Sequence, residues 1–380
     1  MRRKSVSKAV VALALCVAML SGAALAFNDV DSSYWGDAAI ERVSGFGIIK
    51  GDANGNFNPN GEMTRAELAQ VIYAAMGYKA APNQTFSDVN SSDWYAEAVS
   101  ACAAAGVISG TGNGKMNPNA VATREQTMVI LARALGIKPA ASGTASFADG
   151  ASVSSWAEGY VAAMTKAGYV SGTGDNKLMP AAEITRASVV SILNKCIAEY
   201  ITAPGTYDLT GKEGIVIVKA AGEVILTGKT EAGVLVAAGA TGSVVIAKGA
   251  VIGGDVVANG TASVTNNGTI SGELVNSGTG AVTNNGTVAG GTEGTVVDNS
   301  KPSTGGSGPI VNPPDVPDPD VPDDPTEEDN TEEDNTEEDN TEEDNTEEDN
   351  TEEDNTEEDN TEEYNTEEDN TEENNTEEQN

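Results

Sequence analysis

The sequence predicts a multidomain chain: an all-α part of three like helix–loop–helix units, an all-β part of β-solenoid type, and a disordered acidic tail. A β-sandwich is the alternative for the middle part. Three observations carry this expectation. Residues 27–203 repeat three times with fixed internal spacing. From Gly205 the apolar pattern switches to short β-branched runs between Gly, Asn and Ala turns. From Thr326 the chain is eleven five-residue units with almost no apolar residue.

The N-terminus carries Arg2, Arg3, Lys4 and Lys8, an apolar run from Ala9 to Leu20, and then Ser-Gly-Ala-Ala-Leu-Ala. That order is a secretory signal peptide over 1–26, with a mature start at Phe27. The apolar run is short for a span and no other segment could cross a bilayer, so export without membrane insertion is expected. The net charge of −38 over 380 residues is uneven. Eight tail units read TEEDN, with three carboxylates each, and three read TEEYN, TEENN or TEEQN, with two, so the array supplies 30 negative charges. The remainder is close to neutral and shows no basic nucleic-acid surface.

Histidine is absent. A Ser-His-Asp triad, a Cys-His pair and most zinc sites are thereby excluded, and no cofactor, metal or catalytic residue is expected. Export leaves Cys102 and Cys196, each beside apolar residues at helical spacing, and both read as small core residues. Secretion permits a disulfide between them, but nothing in the spacing demands one.

Each unit opens on Phe-x-Asp: Phe27 and Asp29, Phe86 and Asp88, Phe147 and Asp149. A tryptophan follows (Trp35, Trp94, Trp156), then a helical stretch ending in "GFGIIKG", "AAGVISG" or "KAGYVSG", then a polar loop, then "TRAE", "TREQ" or "TRAS". Tryptophan to arginine is 30 residues in every copy, and the last turn glycine to threonine is 13. Spacing this constant through a loop of variable composition means that the loop is held. Thr64 with Glu67 and Thr123 with Gln126 predict capping boxes on the second helices, while Ser188 weakens the third. One such unit of about sixty residues can barely bury a core, but three can share one.

These motifs resemble the S-layer homology family across residues 27–203. The resemblance rests on Phe-x-Asp, the tryptophan, the glycine turn, Phe57 with Pro59, and "TRAE"; Met116 and Leu178 stand where copy one has Phe57. It implies a three-lobed pseudo-trimer around a central helical bundle. It also implies noncovalent anchoring to a pyruvylated secondary cell-wall polysaccharide in grooves between lobes, with other S-layer subunits as further partners. The expected organisation is therefore a signal peptide (1–26), three S-layer homology units (27–82, 83–141, 142–203), a β-rich domain (204–299), a Pro/Gly/Asp linker (300–325) and the array (326–380).

The loop "GDANGNFNPNGEM" superficially suggests calcium. Counted from Asp52, however, its sixth residue is Phe57 rather than glycine and its twelfth is Met63 rather than glutamate. Turn-forming Asn and Gly explain it better. Capping does not explain Arg65, Arg124 and Arg186, since a cation in the first helical turn costs about 0.3–1 kcal/mol. An acidic partner would offset that cost, either a protein carboxylate or a bound anion. A guanidinium at a helix N-terminus suits a carboxylate ligand, and the family resemblance selects the anion. Gly110, Gly112, Gly172 and Gly174 would let a sugar approach the backbone, or simply cap a helix. Copy one has Lys-Gly-Asp-Ala there, which puts its groove in doubt. Trp35, Trp94 and Trp156 either stack on sugar or seal the core between lobes, with the core preferred.

In the β part "VTNNGT" recurs at Val264–Thr269 and Val282–Thr287, eighteen residues apart, which favours stacked coils. Asp208, Glu213, Glu223, Glu231, Asp255 and Glu273 form no evident catalytic pair. The tail reads as a solvated spacer, with cation capture or a basic partner as the sharper alternative. The expected function is a secreted, non-enzymatic cell-wall anchor at the cell surface. A surface adhesin or scaffold is the alternative, and a wall-anchored glycan-acting enzyme the third.

Overall fold

A computed structural model of the protein describes residues 27–81, 86–141, 143–144 and 146–300. The expected signal peptide, the linker beyond Ser300 and the acidic array lie outside the described residues. Six α-helices come first: α1 (Asp37–Gly45), α2 (Arg65–Met76), α3 (Ala96–Ala104), α4 (Arg124–Ala134), α5 (Glu158–Lys166) and α6 (Arg186–Cys196). Each repeat supplies two, with its tryptophan just ahead of the first and its threonine capping the second. Reciprocal capping boxes close at Thr64/Glu67 and Thr123/Gln126, whereas Thr185 caps α6 without a returning side chain. None of these helices is long and apolar enough to cross a membrane, among the described residues.

The polar loops are clamped by the Phe-x-Asp carboxylates. Asp29 accepts the N–H groups of Phe57 and Asn58, both at 2.7 Å. Asp88 does the same for Met116 and Asn117 at 2.8 Å, and Asp149 for Leu178 and Met179 at 2.7 and 2.8 Å. The second residue of each pair is left-handed, with φ of 57° at Asn58, 51° at Asn117 and 52° at Met179. Asparagine tolerates that region, but methionine is strained there. Two charge-assisted bonds offset the strain, and they fix the loop length.

The chain then crosses between repeats. Met63 N–H donates to Ile184 O, Ile184 N–H to Ala122 O and Ala122 N–H to Met63 O, at 2.9, 3.0 and 2.9 Å. This closed ring of backbone bonds surrounds a pseudo-three-fold axis lined by buried side chains. Helix α2 packs on α3, α4 on α5 and α6 on α1. Each lobe thus takes its two helices from different repeats, and no repeat can fold as a lobe by itself. Cys102 and Cys196 are buried in this core as free thiols, and burial pushes both up to about 12.

The β part is a solenoid of three parallel sheets, which settles the alternative against a sandwich. The first sheet is β1 (Ile197–Ile201), β3 (Ile215–Val218), β6 (Gly233–Val236), β9 (Val256–Ala258), β12 (Leu274–Asn276) and β15 (Thr292–Gly294). The second is β2 (Gly205–Asp208), β4 (Ala221–Thr227), β7 (Thr241–Ile246), β10 (Ser263–Asn266), β13 (Val282–Asn284) and β16 (Val296–Asp298). The third holds four two-residue strands: β5 (Lys229–Thr230), β8 (Val251–Ile252), β11 (Thr269–Ile270) and β14 (Thr287–Val288). Every successive coil lies in parallel register on the last, and Val, Ile and Leu fill the interior.

The "VTNNGT" repeat is a buried asparagine ladder. Asn266 Nδ2 donates to Asn284 Oδ1 at 2.8 Å, and Asn284 passes the bond to Asp298 Oδ1 at 2.9 Å. Each Oδ1 also accepts the glycine N–H two residues on, at 3.0 Å from Gly268 and 3.1 Å from Gly286. The buried amides are therefore satisfied without water. β1 follows α6 without an intervening residue, so the first solenoid strand precedes the expected domain boundary at 204.

Candidate functional site

The arginines come to rest where three repeats meet. Arg65 is only 5% exposed. Its Nε donates to Met116 O at 2.8 Å and its Nη2 to Ser109 O at 2.9 Å, both in the second repeat. Arg124 Nε donates to Leu178 O in the third repeat at 2.8 Å. Arg186 returns to the first, donating to Phe57 O and Lys50 O, each at 2.9 Å, with its guanidinium 4.8 Å from the Phe57 ring centre. Within the chain, the partners of the three guanidiniums are thus mainly backbone carbonyls of the next repeat. Among the described residues no carboxylate lies within salt-bridge distance of the three guanidiniums. Burial pulls all three below the ordinary arginine value, and the more distant Asp88, Asp149 or Glu67 with Asp29 pull them partly back.

Two grooves open beside these arginines. The first, about 440 Å³, is lined by Arg65, the Ser109–Thr111 turn, Gln126 and Arg133 on α4, and Trp156. The second, about 200 Å³, is lined by Arg124, the Ser171–Thr173 turn, Ser188 and Lys195 on α6, and Trp35. Each groove is therefore built from all three repeats: arginine from one, turn and second helix from the next, tryptophan from the third. The tryptophans are not core. Trp35, Trp94 and Trp156 are 64%, 64% and 52% exposed, which corrects the preference for a sealing role.

A second cation stands nine residues beyond the motif arginine of the same helix. Arg133 Nη1 donates to Ser109 Oγ at 3.2 Å, and Lys195 Nζ to Ser171 Oγ at 2.9 Å, the same contact in two copies. At the third junction the corresponding residues are Ala74, Glu67 and the turn Lys50-Gly51-Asp52. Two carboxylates and one fewer cation on the helix leave that junction without the net positive charge of the other two.

The turn glycines divide into two kinds. A Cβ on Gly110 would lie 2.7 Å from Lys115 O and 3.0 Å from the Phe86 ring; one on Gly172 would lie 3.0 Å from Lys177 O and 2.9 Å from Phe147. These glycines seat the Phe-x-Asp ring under the turn, and they also line the grooves. Gly112 and Gly174 have open space around the Cβ position and stand outside both linings. Sequence reasoning missed Arg133 and Lys195; the signal was a basic residue at the same place in two copies.

A family model for the S-layer homology domain matches residues 26–69, 85–128 and 146–190. The chain is 36% identical over 172 residues to the exoglucanase XynX of Acetivibrio thermocellus, covering 44% of this chain and 16% of that protein. It is 31% identical to the surface-layer 125 kDa protein of Lysinibacillus sphaericus (53% and 17% covered). To the S-layer protein sap of Bacillus anthracis it is 30% identical, with 51% and 25% covered. The match spans a quarter or less of each relative's own length. The matched segments hold the motif arginines, the glycine turns and the tryptophans of the helical bundle, while Arg133 and Lys195 lie outside them: the chain carries three tandem S-layer homology domains across residues 26–190.

Proposed function

We propose that the two positively charged grooves bind carboxylate-bearing sugars of a pyruvylated secondary cell-wall polysaccharide and so hold the protein noncovalently on the wall. S-layer homology domains are cell-wall anchoring modules of surface proteins, and this chain is a cell-wall-associated surface protein. The observation that carries the finer reading is the repeated trio of fixed arginine, solvent-facing cation and exposed tryptophan. The motif arginine is locked by the carbonyls it caps, so its remaining N–H groups meet a ligand already oriented. Arg133 or Lys195 supplies the free charge for a carboxylate. Trp156 or Trp35 offers an apolar face to a sugar ring. The third junction, with Asp52 and Glu67, disfavours an anion, so two grooves are engaged per chain.

The solenoid and the chain beyond it are the displayed part, and other S-layer subunits are its proposed partners. An enzymatic role for the solenoid is not favoured. Asp255 and Glu273 are engaged by Lys138, and Asp208 is held by Thr210. The test is cosedimentation of the whole chain with purified walls, before and after pyruvate ketals are removed by mild acid. Arg133→Ala with Lys195→Ala removes one charge-assisted contact per groove, each about 1.5–3 kcal/mol. Loss of binding of at least tenfold is expected from either treatment. Undiminished binding of the double variant to intact walls would overturn the groove assignment.

A further inference from the structure

We infer that the helical bundle and the solenoid are one cooperative unit, in which the solenoid completes the bundle's structure and is carried at a fixed orientation to the grooves. The anchor is then not a detachable cassette. The argument begins at the end of α2. The last four carbonyls of a helix have no partner inside it. Tyr73 O accepts from Gly77 N–H at 2.8 Å, within the chain's own turn. The other three accept from the solenoid: Ala74 O from Lys219 Nζ, Ala75 O from the Tyr200 hydroxyl at 2.8 Å, and Met76 O from Gly239 N–H at 2.8 Å. By contrast, the corresponding carbonyls of α4 are met within the bundle: Leu131 O by Leu135 N–H, Ala132 O by Ile137 N–H, Arg133 O by Gly136 N–H and Ala134 O by the Tyr78 hydroxyl.

Packing agrees with the hydrogen bonds. The outward side chains Ile215, Ile217 and Leu235 of the first solenoid sheet are buried in the bundle's own apolar cluster, together with Ala237. The two backbones touch at Gly77 and Gly239, where a Cβ on Gly77 would lie 2.8 Å from Gly239 Cα. At the α6–β1 junction no residue is left to act as a hinge. Arg42 of α1 spans it, donating to Asn194 O at 3.2 Å, Asn194 Oδ1 at 2.9 Å, Ile197 O at 2.8 Å and Ala198 O at 3.0 Å. Its guanidinium lies 5.0 Å from the Phe46 ring centre, and Phe46 in turn meets Tyr200 at 5.2 Å. Lys138 adds a third, more exposed tie to Asp255 and Glu273. Two domains on a flexible joint would show none of these shared caps.

Hydrogen-exchange mass spectrometry of the whole chain through a urea series tests this. The amides of α2 and those of β6 and β9 are expected to lose protection at one shared urea midpoint. Lys219→Met keeps the apolar stem and removes the cap; it should lower that midpoint for both regions together. Gly239→Val, which drives a side chain into Gly77, should do so more strongly, and Lys219→Met carries the test if that variant does not fold. Separate midpoints for α2 and for β6 with β9 in the wild-type chain would overturn the inference. So would a Lys219→Met chain that loses α2 protection by about tenfold while β6 and β9 keep theirs.

Discussion

Replacing Arg65 by Ala separates a structural role from a ligand role. Its guanidinium is almost wholly buried and donates to two carbonyls of the next repeat, Met116 O and Ser109 O, with a longer contact to Gln126 Oε1 at 3.5 Å. Bonds from a charged donor contribute about 1.5–3 kcal/mol each. Against that, Ala in the first turn removes a dipole penalty of about 0.3–1 kcal/mol. The balance is a loss of roughly 2–6 kcal/mol in the whole chain. Urea unfolding should show it as a lower midpoint at unchanged slope. Arg65→Lys should recover little, because an ammonium cannot span both carbonyls. Wall binding should weaken as well, since the Ser109–Thr111 turn loses its clamp. Should Arg65→Ala unfold within about 0.5 kcal/mol of wild type while binding collapses, the guanidinium serves the ligand alone and the structural argument is refuted.

Two further outcomes follow from the same geometry. Trp156→Ala and Trp35→Ala should each weaken wall cosedimentation while leaving the urea midpoint unchanged, whereas Trp94→Ala at the third junction should leave binding intact; equal losses from all three would show three working grooves. The Asp88 and Asp149 carboxyls sit below their ordinary value: desolvation raises each, but the two N–H groups that each accepts, with a nearby lysine, outweigh it. A depressed folded value stabilises the fold above the unfolded value, near pH 4, and that contribution is lost as pH falls through the folded value. Acid titration of stability should therefore steepen below about pH 4, and Asp88→Asn should flatten it; an unchanged acid limb would count against the clamp.

Much of the helical part was legible because repetition turns one observation into three. The constant interval from tryptophan to arginine marks a loop under tension at both ends, and the Asp29, Asp88 and Asp149 clamps are that tension. What the interval could not reveal is that the loop leaves its own repeat. A capping box looks the same whether its helix packs on its own unit or the next, so the exchange of helices between lobes has no local signature. The outward turn of the tryptophans has no local signature either. An aromatic just ahead of an amphipathic helix usually packs beneath it. Here Tyr95 is in the core and Tyr34 packs against it, while the adjacent Trp94 and Trp35 are turned outward.

The arginines show a different limit. A first-turn cation demands a compensating acceptor, and within the chain that acceptor is the carbonyl of Phe57, Met116 or Leu178; carbonyls are present at every residue of any sequence. No composition or motif can point to one. The side chain at that carbonyl is variable (Phe, Met, Leu), while the aspartate that fixes its backbone is not, which places the specificity of the contact in the main chain. The invariant parts of the repeat, Asp and Arg, fix the loop and tie one repeat to the next, and on the proposed function the variable positions nine residues beyond the arginine, Ala74, Arg133 and Lys195, are the ones that set what each groove binds. On that proposal, affinity for the wall changes from groove to groove without touching the fold that presents it.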